Sequence, residues 1–251
     1  MYSQNIPVFE NKINTDFGSK SIIGSGTFGS VYKTQSTHDN GKYAIKKIII
    51  QDPSIENREI DILSKLDANY VVKYYDSWLE TSMGTGGPAV LYIQMELCSF
   101  NLRYVTTLKK TCFKTQPNKG VGHVEYFISY HLFKEILEAV DYLHTRVPQI
   151  IHRDLKPANI LVFLNLAQKR CIKLGDFGLA KVHASASQSH TKGAGAQRYI
   201  APEVASGRSY NTKADVYSIG IFVEELFNID INKSTEYPGL IDLMNEMLTY
   251  Y

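Results

Sequence analysis

The sequence predicts an α+β protein whose first part consists mainly of strands and whose second part consists mainly of helices. Two observations predict this fold class. The N-terminal part has short runs rich in β-branched and aromatic residues, separated by turn residues, with one helical pattern among them. Longer segments with apolar residues at helical spacing follow. We therefore expect two lobes with a ligand-binding cleft between them.

The composition is that of an ordinary globular protein. Hydrophobic residues make up 44% of the 251 residues, and the formal net charge is only +2. So small an excess of charge argues against direct nucleic-acid binding and against a polybasic membrane patch. The three widely spaced cysteines, the absence of a secretory pattern and the lack of a membrane-length apolar run predict a cytoplasmic location.

The N-terminal elements follow from local patterns. Residues 1–20 are polar and predict an irregular extension. Three strands are expected between residues 21 and 50, a helix over 57–66, and two more strands over 71–80 and 89–97. The first hairpin holds Gly24, Gly26 and Gly29 in a G-x-G-x-x-G pattern, which alone is weak evidence and also occurs in dinucleotide sites. Because strand-like residues follow it, the pattern favours a hairpin whose backbone covers a triphosphate.

The C-terminal part contains the strongest chemical signal. Apolar spacing predicts a short segment over 102–110 and helices over 124–146, 212–227 and 238–248. Between them, His152–Asn159 reads His-Arg-Asp-Leu-Lys-Pro-Ala-Asn, which supplies the carboxylate, cations and amide that phosphoryl transfer requires. Asp176 follows an apolar strand and precedes Phe-Gly, a suitable place for a carboxylate on a metal. The tripeptide alone is common by chance.

Five motifs then occur in one order along the chain. They are the glycine loop, Ala44-Ile45-Lys46, the His152–Asn159 string, Asp176-Phe177-Gly178 and Ala201-Pro202-Glu203. Together they resemble the eukaryotic protein kinase domain over residues 21–248. The resemblance implies a bilobal fold with a five-stranded antiparallel N-lobe at 21–97 after an extension at 1–20. A helical C-lobe at 98–251 would be incomplete, because it ends before the arginine that normally pairs with Glu203.

The resemblance also implies roles for single residues. Asp154 would be the catalytic base, Lys156 beside it is typical of serine/threonine kinases, and Lys46 paired with Glu59 would hold the ATP phosphates. Asn159 and Asp176 would bind Mg²⁺, and His152 is expected to pack on Phe177. The residues expected to contact ATP are Ile23, Gly24, Ser25, Gly26, Thr27, Phe28, Gly29, Val31, Ala44, Lys46, Met95, Glu96, Cys98 and Leu161.

A narrower resemblance concerns three segments, Tyr74–Glu80, Tyr92–Cys98 and Lys173–Leu179. They are similar to the kinases that phosphorylate the alpha subunit of translation initiation factor 2 and repress translation under stress. That subunit is therefore the implied partner, and Lys12 with Asp16 resembles an ion pair of N-lobe homodimers in that family. Two alternatives are a nucleotide-binding pseudokinase that serves as a scaffold, and a Wee-like cell-cycle kinase.

Three departures from the family pattern bear on activity and substrate. Ala196 replaces a threonine that usually bridges the base and the following lysine, so we expect lowered activity. The segment after Phe227 is short where the family docks the initiation factor. Thr191 matches an activating phosphothreonine with Arg153 as its partner, and an unmodified loop threonine is the alternative reading.

Overall fold

The computed structural model of the protein describes the nine ranges 6–26, 29–50, 57–81, 88–114, 121–164, 170–183, 197–208, 210–230 and 237–249. The chain divides into two compact units, Met1–Cys98 and Ser99–Tyr251. The first is dominated by strands and the second by helices, so the predicted α+β class is confirmed. Within these ranges no helix is long and apolar enough to cross a membrane.

In its described residues, the first unit contains a six-stranded sheet and two helices. Its strand order is β1-β5-β6-β4-β3-β2, in which only the β1–β5 pair is parallel. The five predicted antiparallel strands are present, and β1 adds a sixth. The elements in chain order are β1 Val8–Phe9, α1 Lys12–Thr15, β2 Ser21–Gly26, β3 Gly29–Gln35, β4 Lys42–Ile50, α2 Asn57–Leu63, β5 Tyr74–Glu80 and β6 Ala89–Glu96.

The prediction of an irregular extension was wrong for residues 8–17, which belong to the first unit. Ile13 and Phe17 are buried in one cluster with Trp78, and the Phe17 and Trp78 rings stack at 5.6 Å. The reason lies in the sheet, whose side chains alternate between two faces. Ile45, Trp78 and Tyr92 share one apolar face, and the N-terminal segment removes that face from water.

The second unit contains most of the helices. The predicted helices form within a few residues of their expected bounds, whereas β7 and β11 were not expected. Residues 181–183 form β11, which pairs antiparallel with β8. The elements are β7 Phe100–Asn101, α3 Leu102–Cys112, α4 His123–His144, β8 Gln149–Ile151, β9 Ile160–Val162, β10 Ile172–Leu174, β11 Lys181–His183, a 3-10 turn Gln197–Tyr199, α5 Pro202–Ala205, α6 Lys213–Phe227 and α7 Pro238–Leu248.

The core of the second unit forms around α4 and α6. Both helices bury an apolar stripe, with Ile136 and Leu143 on α4 and Phe222 on α6 fully buried. Helix α7 packs against α6 at Gly220, where an added Cβ would meet Leu248 at 2.9 Å. Helix α6 also contacts the polar loop at 152–159, through hydrogen bonds from His152 N and Arg153 N to Asp215.

Candidate active site

One face of the first unit's sheet gathers five of the fourteen residues predicted to contact ATP. Strand pairing places Gly24 opposite Val31, Val31 opposite Lys46 and Ala44 opposite Met95. Residues that face each other across an antiparallel pair lie on the same side of the sheet. The register therefore brings these five residues to one face, opposite to the face covered by the N-terminal segment.

The glycine pattern forms a β-hairpin, as its sequence context predicted. Ser25 pairs with Ser30 and Gly26 with Gly29, so strands flank the glycines on both sides. Gly29 has φ +119°, and a Cβ built there would lie 2.0 Å from the carbonyl oxygen of Lys47. Only glycine fits such a position. Thr27 and Phe28 lie outside the described residues.

Lys46 and Glu59 form the predicted ion pair. The Lys46 Nζ donates to both Glu59 carboxylate oxygens at 2.8 Å, and the two residues are 4% and 6% exposed. Two charges taken out of water need such close pairing to offset their desolvation. The pair links β4 to α2 and fixes the position of the ammonium group on the glycine-bearing face.

In the second unit, the loop 152–159 concentrates polar contacts on Asp154. Its Oδ2 accepts hydrogen bonds from Lys156 Nζ at 2.6 Å and from Asn159 Nδ2 at 2.8 Å. The Asn159 amide also donates to the Asp154 backbone carbonyl at 2.8 Å. Asp154 is 5% exposed, so the loop holds its carboxylate in one position beside a lysine cation.

The β9–β10 hairpin brings Asp176 to this loop. Leu174 pairs with Ile160, and Gly175 N donates to the Asn159 carbonyl at 2.9 Å. Asp176 follows directly with φ +61°, a left-handed conformation that aspartate tolerates better than most residues. An added Cβ on Gly175 would lie 2.7 Å from Leu161 Cδ1, so the Leu161 side chain packs directly against this glycine.

His152 supports the loop through packing, as predicted. It is fully buried, its ring lies 4.8 Å from the Phe177 ring, and its Nε2 hydrogen-bonds with the Gly175 carbonyl at 3.1 Å. The expected packing of His152 on Phe177 is therefore confirmed. These contacts join the loop that carries Asp154 to the segment that carries Asp176.

Asp215 is an important residue to which sequence reasoning gave no role. Its carboxylate accepts hydrogen bonds from the backbone N–H groups of His152 at 2.9 Å and Arg153 at 2.8 Å, and it contacts His144 Nε2 at 2.8 Å. Arg153 has φ +67°, so Asp215 stabilises an unusual backbone conformation next to Asp154. A lone aspartate in the apolar α6 sequence was the available signal.

The electrostatics of Asp215 agree with this anchoring role. Complete burial opposes ionisation, but the hydrogen bond and charge of His144, together with His152, outweigh it and hold the pKa of the Asp215 carboxyl below its ordinary value. The carboxylate is thus the form that the folded loop stabilises.

Comparison with known proteins places this geometry in a family. The profile described as Protein kinase domain matches residues 17–236. The chain belongs to the protein kinase domain family. Over 89% of its length it is 31% identical to the interferon-induced, double-stranded RNA-activated protein kinase of Mus musculus, of which it covers 42%. It is 28% identical to the eIF-2-alpha kinase GCN2 of Schizosaccharomyces pombe, over 92% of this chain and 20% of that protein.

A further relative belongs to another group of kinases. Serine/threonine-protein kinase Nek4 of Mus musculus is 32% identical over 82% of this chain and 24% of its own length. The chain therefore spans less than half the length of each of these relatives. The predicted resemblance to protein kinases and to the initiation-factor kinases is confirmed. At the level of the family, so is the prediction of an ATP-dependent protein serine/threonine kinase.

The two residues predicted to bind Mg²⁺ offer oxygen donors that suit this ion. Among the described residues the Asn159 amide oxygen accepts no hydrogen bond, and Asp176 supplies a carboxylate at the adjoining hairpin end. The described ranges contain no group of three or more His, Cys, Asp or Glu side chains that could hold a metal ion. A pair of oxygen donors is typical of Mg²⁺ that also binds phosphate and water.

For the remaining predicted residues, the structure gives mainly the degree of burial. Ile23 is 51% exposed on β2, Glu96 is buried at the end of β6, and Cys98 is half buried just after it. Ala196 and Thr191 lie outside the described residues, so both expectations stay predictions.

Arg153 has contacts that the sequence did not reveal. Arg153, the expected phosphothreonine partner, donates to the Leu179 carbonyl and to the Tyr210 hydroxyl. Glu203 is half buried on α5.

Proposed function

We propose that this protein transfers the γ-phosphoryl group of ATP to a serine or threonine hydroxyl of a protein substrate. One observation carries the proposal, namely the Asp154 carboxylate held by both Lys156 and Asn159 in a buried loop. A carboxylate held in one position can orient an acceptor hydroxyl and take its proton. Lys156, 2.6 Å away, supplies positive charge where the transferred group becomes most anionic.

Each unit contributes separate functions to this chemistry. In the first, Lys46 would contact the phosphates while Glu59 holds its ammonium in place, and the β2–β3 hairpin would cover them with backbone N–H groups. Val31, Ala44, Met95 and Leu161 would contact the adenine. In the second, Asn159 and Asp176 would hold Mg²⁺. When bound, Mg·ATP supplies the phosphoryl group and the metal charge that neutralises it.

We further propose that the substrate is the alpha subunit of translation initiation factor 2, in the cytoplasm, with repression of translation under stress as the consequence. The fission-yeast relative is named as a kinase of this subunit, and residues 74–80, 92–98 and 173–179 resemble that family. The N-lobe homodimer belongs to the same proposal. Lys12 contacts Asp76 at 2.8 Å within its own unit, so a dimer ion pair would have to exchange this partner.

A second candidate is a kinase that acts on a different protein. The 32% identity to Nek4 favours it, because that relative is not named for the initiation factor. The pseudokinase alternative would require Lys46, Asp154, Asn159 and Asp176 to bind nucleotide without turnover.

One experiment separates these functions. The protein is incubated with γ-labelled ATP, Mg²⁺ and the intact initiation-factor alpha subunit, with Asp154→Asn as the matched control. Label on a serine or threonine of the subunit, absent in the control, is the expected result. Label only on other added proteins would favour the second candidate, and no label above the control on any protein would overturn the proposed activity.

A further inference from the structure

Helix α3 exposes a row of large apolar side chains. Tyr104 is 48% exposed and Leu108 is 41% exposed, and the Tyr104 ring stacks on Phe100 at 4.9 Å. Phe100 itself is 38% exposed. Tyr104 and Leu108 are four residues apart and lie on the same side of α3, and Phe100 on β7 extends this stripe through its stacking on Tyr104. Exposed apolar side chains clustered in this way mark an interaction surface.

A basic stripe runs beside the apolar one. Arg103 and Lys110 are exposed and seven residues apart, and Lys114 follows just after the helix. Among the described residues none of these three forms an ion pair. Residues 97–124 contain five Lys and Arg and no Asp or Glu. We call the six residues Phe100, Arg103, Tyr104, Leu108, Lys110 and Lys114 the α3 surface.

The α3 surface is attached to the loop that holds Asp154. Arg103 N donates to the Pro157 carbonyl at 3.2 Å, and the Asn101 side chain caps the helix by accepting from Tyr104 N at 3.0 Å. Asn101 also pairs with Leu161 on β9, the strand that follows the loop. A partner bound on α3 would therefore be held next to the segment that positions the proposed base.

We propose that the α3 surface docks an acidic segment of the protein substrate, an inference that rests on the proposed kinase function. Arg103 and Lys110 are separated by about 10 Å along the helix axis. An extended peptide rises about 3.3 Å per residue, so its acidic residues would lie about three positions apart. An apolar side chain between them would pack on Tyr104 and Leu108.

Charge separates this partner from two other classes. Attraction to an anionic membrane takes clusters of about four to eight cations, more than the α3 surface carries. Nucleic-acid binding is typical of domains with a pI above about 9, whereas the sequence pI here is about 8.2. A short acidic peptide with an apolar residue matches the few cations and the adjoining stripe.

The test is fluorescence anisotropy on the full chain without ATP, so it does not depend on turnover. The probe is the fluorescein-labelled peptide Gly-Ser-Asp-Glu-Phe-Asp-Asp-Leu-Ser-Gly, and the same peptide with lysine at the acidic positions is its control. Reversing both charges in Arg103→Glu/Lys110→Glu should weaken binding about tenfold. Lys134→Glu, a 60% exposed lysine on α4, should leave binding unchanged.

A second variant keeps the test independent of charge reversal. Tyr104→Ser/Leu108→Ser removes the apolar contact but keeps the cations, and it should also weaken binding of the acidic peptide. Equal binding to the parent chain and both double variants, or no binding at all, overturns the proposal. Preferential binding of phosphatidylserine vesicles or of a single-stranded oligonucleotide overturns it in favour of those partners. If the labelling assay shows no phosphoryl transfer but the acidic peptide still binds as expected, the proposed function is contradicted and the docking surface is supported.

Discussion

Replacing Asp215 by asparagine tests whether a buried carboxylate holds the catalytic loop. Asp215 is fully buried and accepts the backbone N–H groups of His152 and Arg153 on different oxygens. Asparagine has one acceptor oxygen, so one of these N–H groups would face an NH₂ group in either orientation. The strained backbone at Arg153 would lose part of the support that keeps it there.

The magnitude follows from the contacts. A hydrogen bond to a charged group contributes about 1.5–3 kcal/mol, and a buried N–H left without an acceptor adds a desolvation cost. We expect Asp215→Asn to lower the free energy of unfolding by about 3 kcal/mol. Since Arg153 precedes Asp154, we also expect kcat to fall by about tenfold to a hundredfold, with a smaller change in KM.

The assay is urea unfolding followed by far-ultraviolet circular dichroism, which reports mainly on the helices of the second unit. Asp242→Asn, an exposed carboxylate on α7, is the matched control and should stay within about 0.5 kcal/mol of the parent chain. An unfolding free energy for Asp215→Asn within that same margin would refute the anchoring role.

The pH dependence of the stability of Asp215→Asn gives a second test of the anchoring role. The folded-state pKa of Asp215 is held below the ordinary value of 3.8, so its contribution is fully present above about pH 4. It is lost as the pH falls through the folded-state value, because the carboxyl then becomes neutral as in asparagine. The stability difference between the two chains should therefore shrink in acid, and a difference that grows in acid would contradict the assignment.

Three further substitutions test other contacts, and the first two have a matched control. Gly29→Ala should destabilise the first unit by about 1–3 kcal/mol in thermal or urea unfolding, whereas Gly26→Ala, whose Cβ meets nothing within 4 Å, should not. Lys109→Met removes a buried ammonium that donates to the Leu226 carbonyl at 2.6 Å, so the free energy of unfolding should fall by about 3 kcal/mol. In the control Lys110→Met, which changes an exposed lysine, the free energy of unfolding should stay nearly the same. Glu59→Gln should lower the labelling rate measured with saturating substrate, since the Lys46 ammonium loses its charged partner; an unchanged rate would count against a phosphate-holding role for this pair.

Local patterns in the chain were sufficient for most secondary structure and for the proposed catalytic residues. Alternation and turn residues predicted β2–β6, and apolar spacing predicted α4, α6 and α7. The position of Gly29 in the hairpin could be predicted from the glycine pattern, because its role depends on its own backbone conformation and not on distant residues. Asp154, Lys156 and Asn159 could be placed together because they lie within six residues of one another.

Contacts between distant parts of the chain were decided only by the tertiary structure. His152 and Asp215 are 63 positions apart in the sequence, and no local pattern joins them, since their pairing depends on how the chain packs. The packing of residues 8–17 on Trp78 was hidden for the same reason, because a polar-looking segment becomes ordered only when the sheet offers an apolar face to cover. Periodicity and turn chemistry therefore specified the elements and the motif residues. Burial and long-range hydrogen bonds form only when the chain folds, and they decide what holds these elements and residues in place.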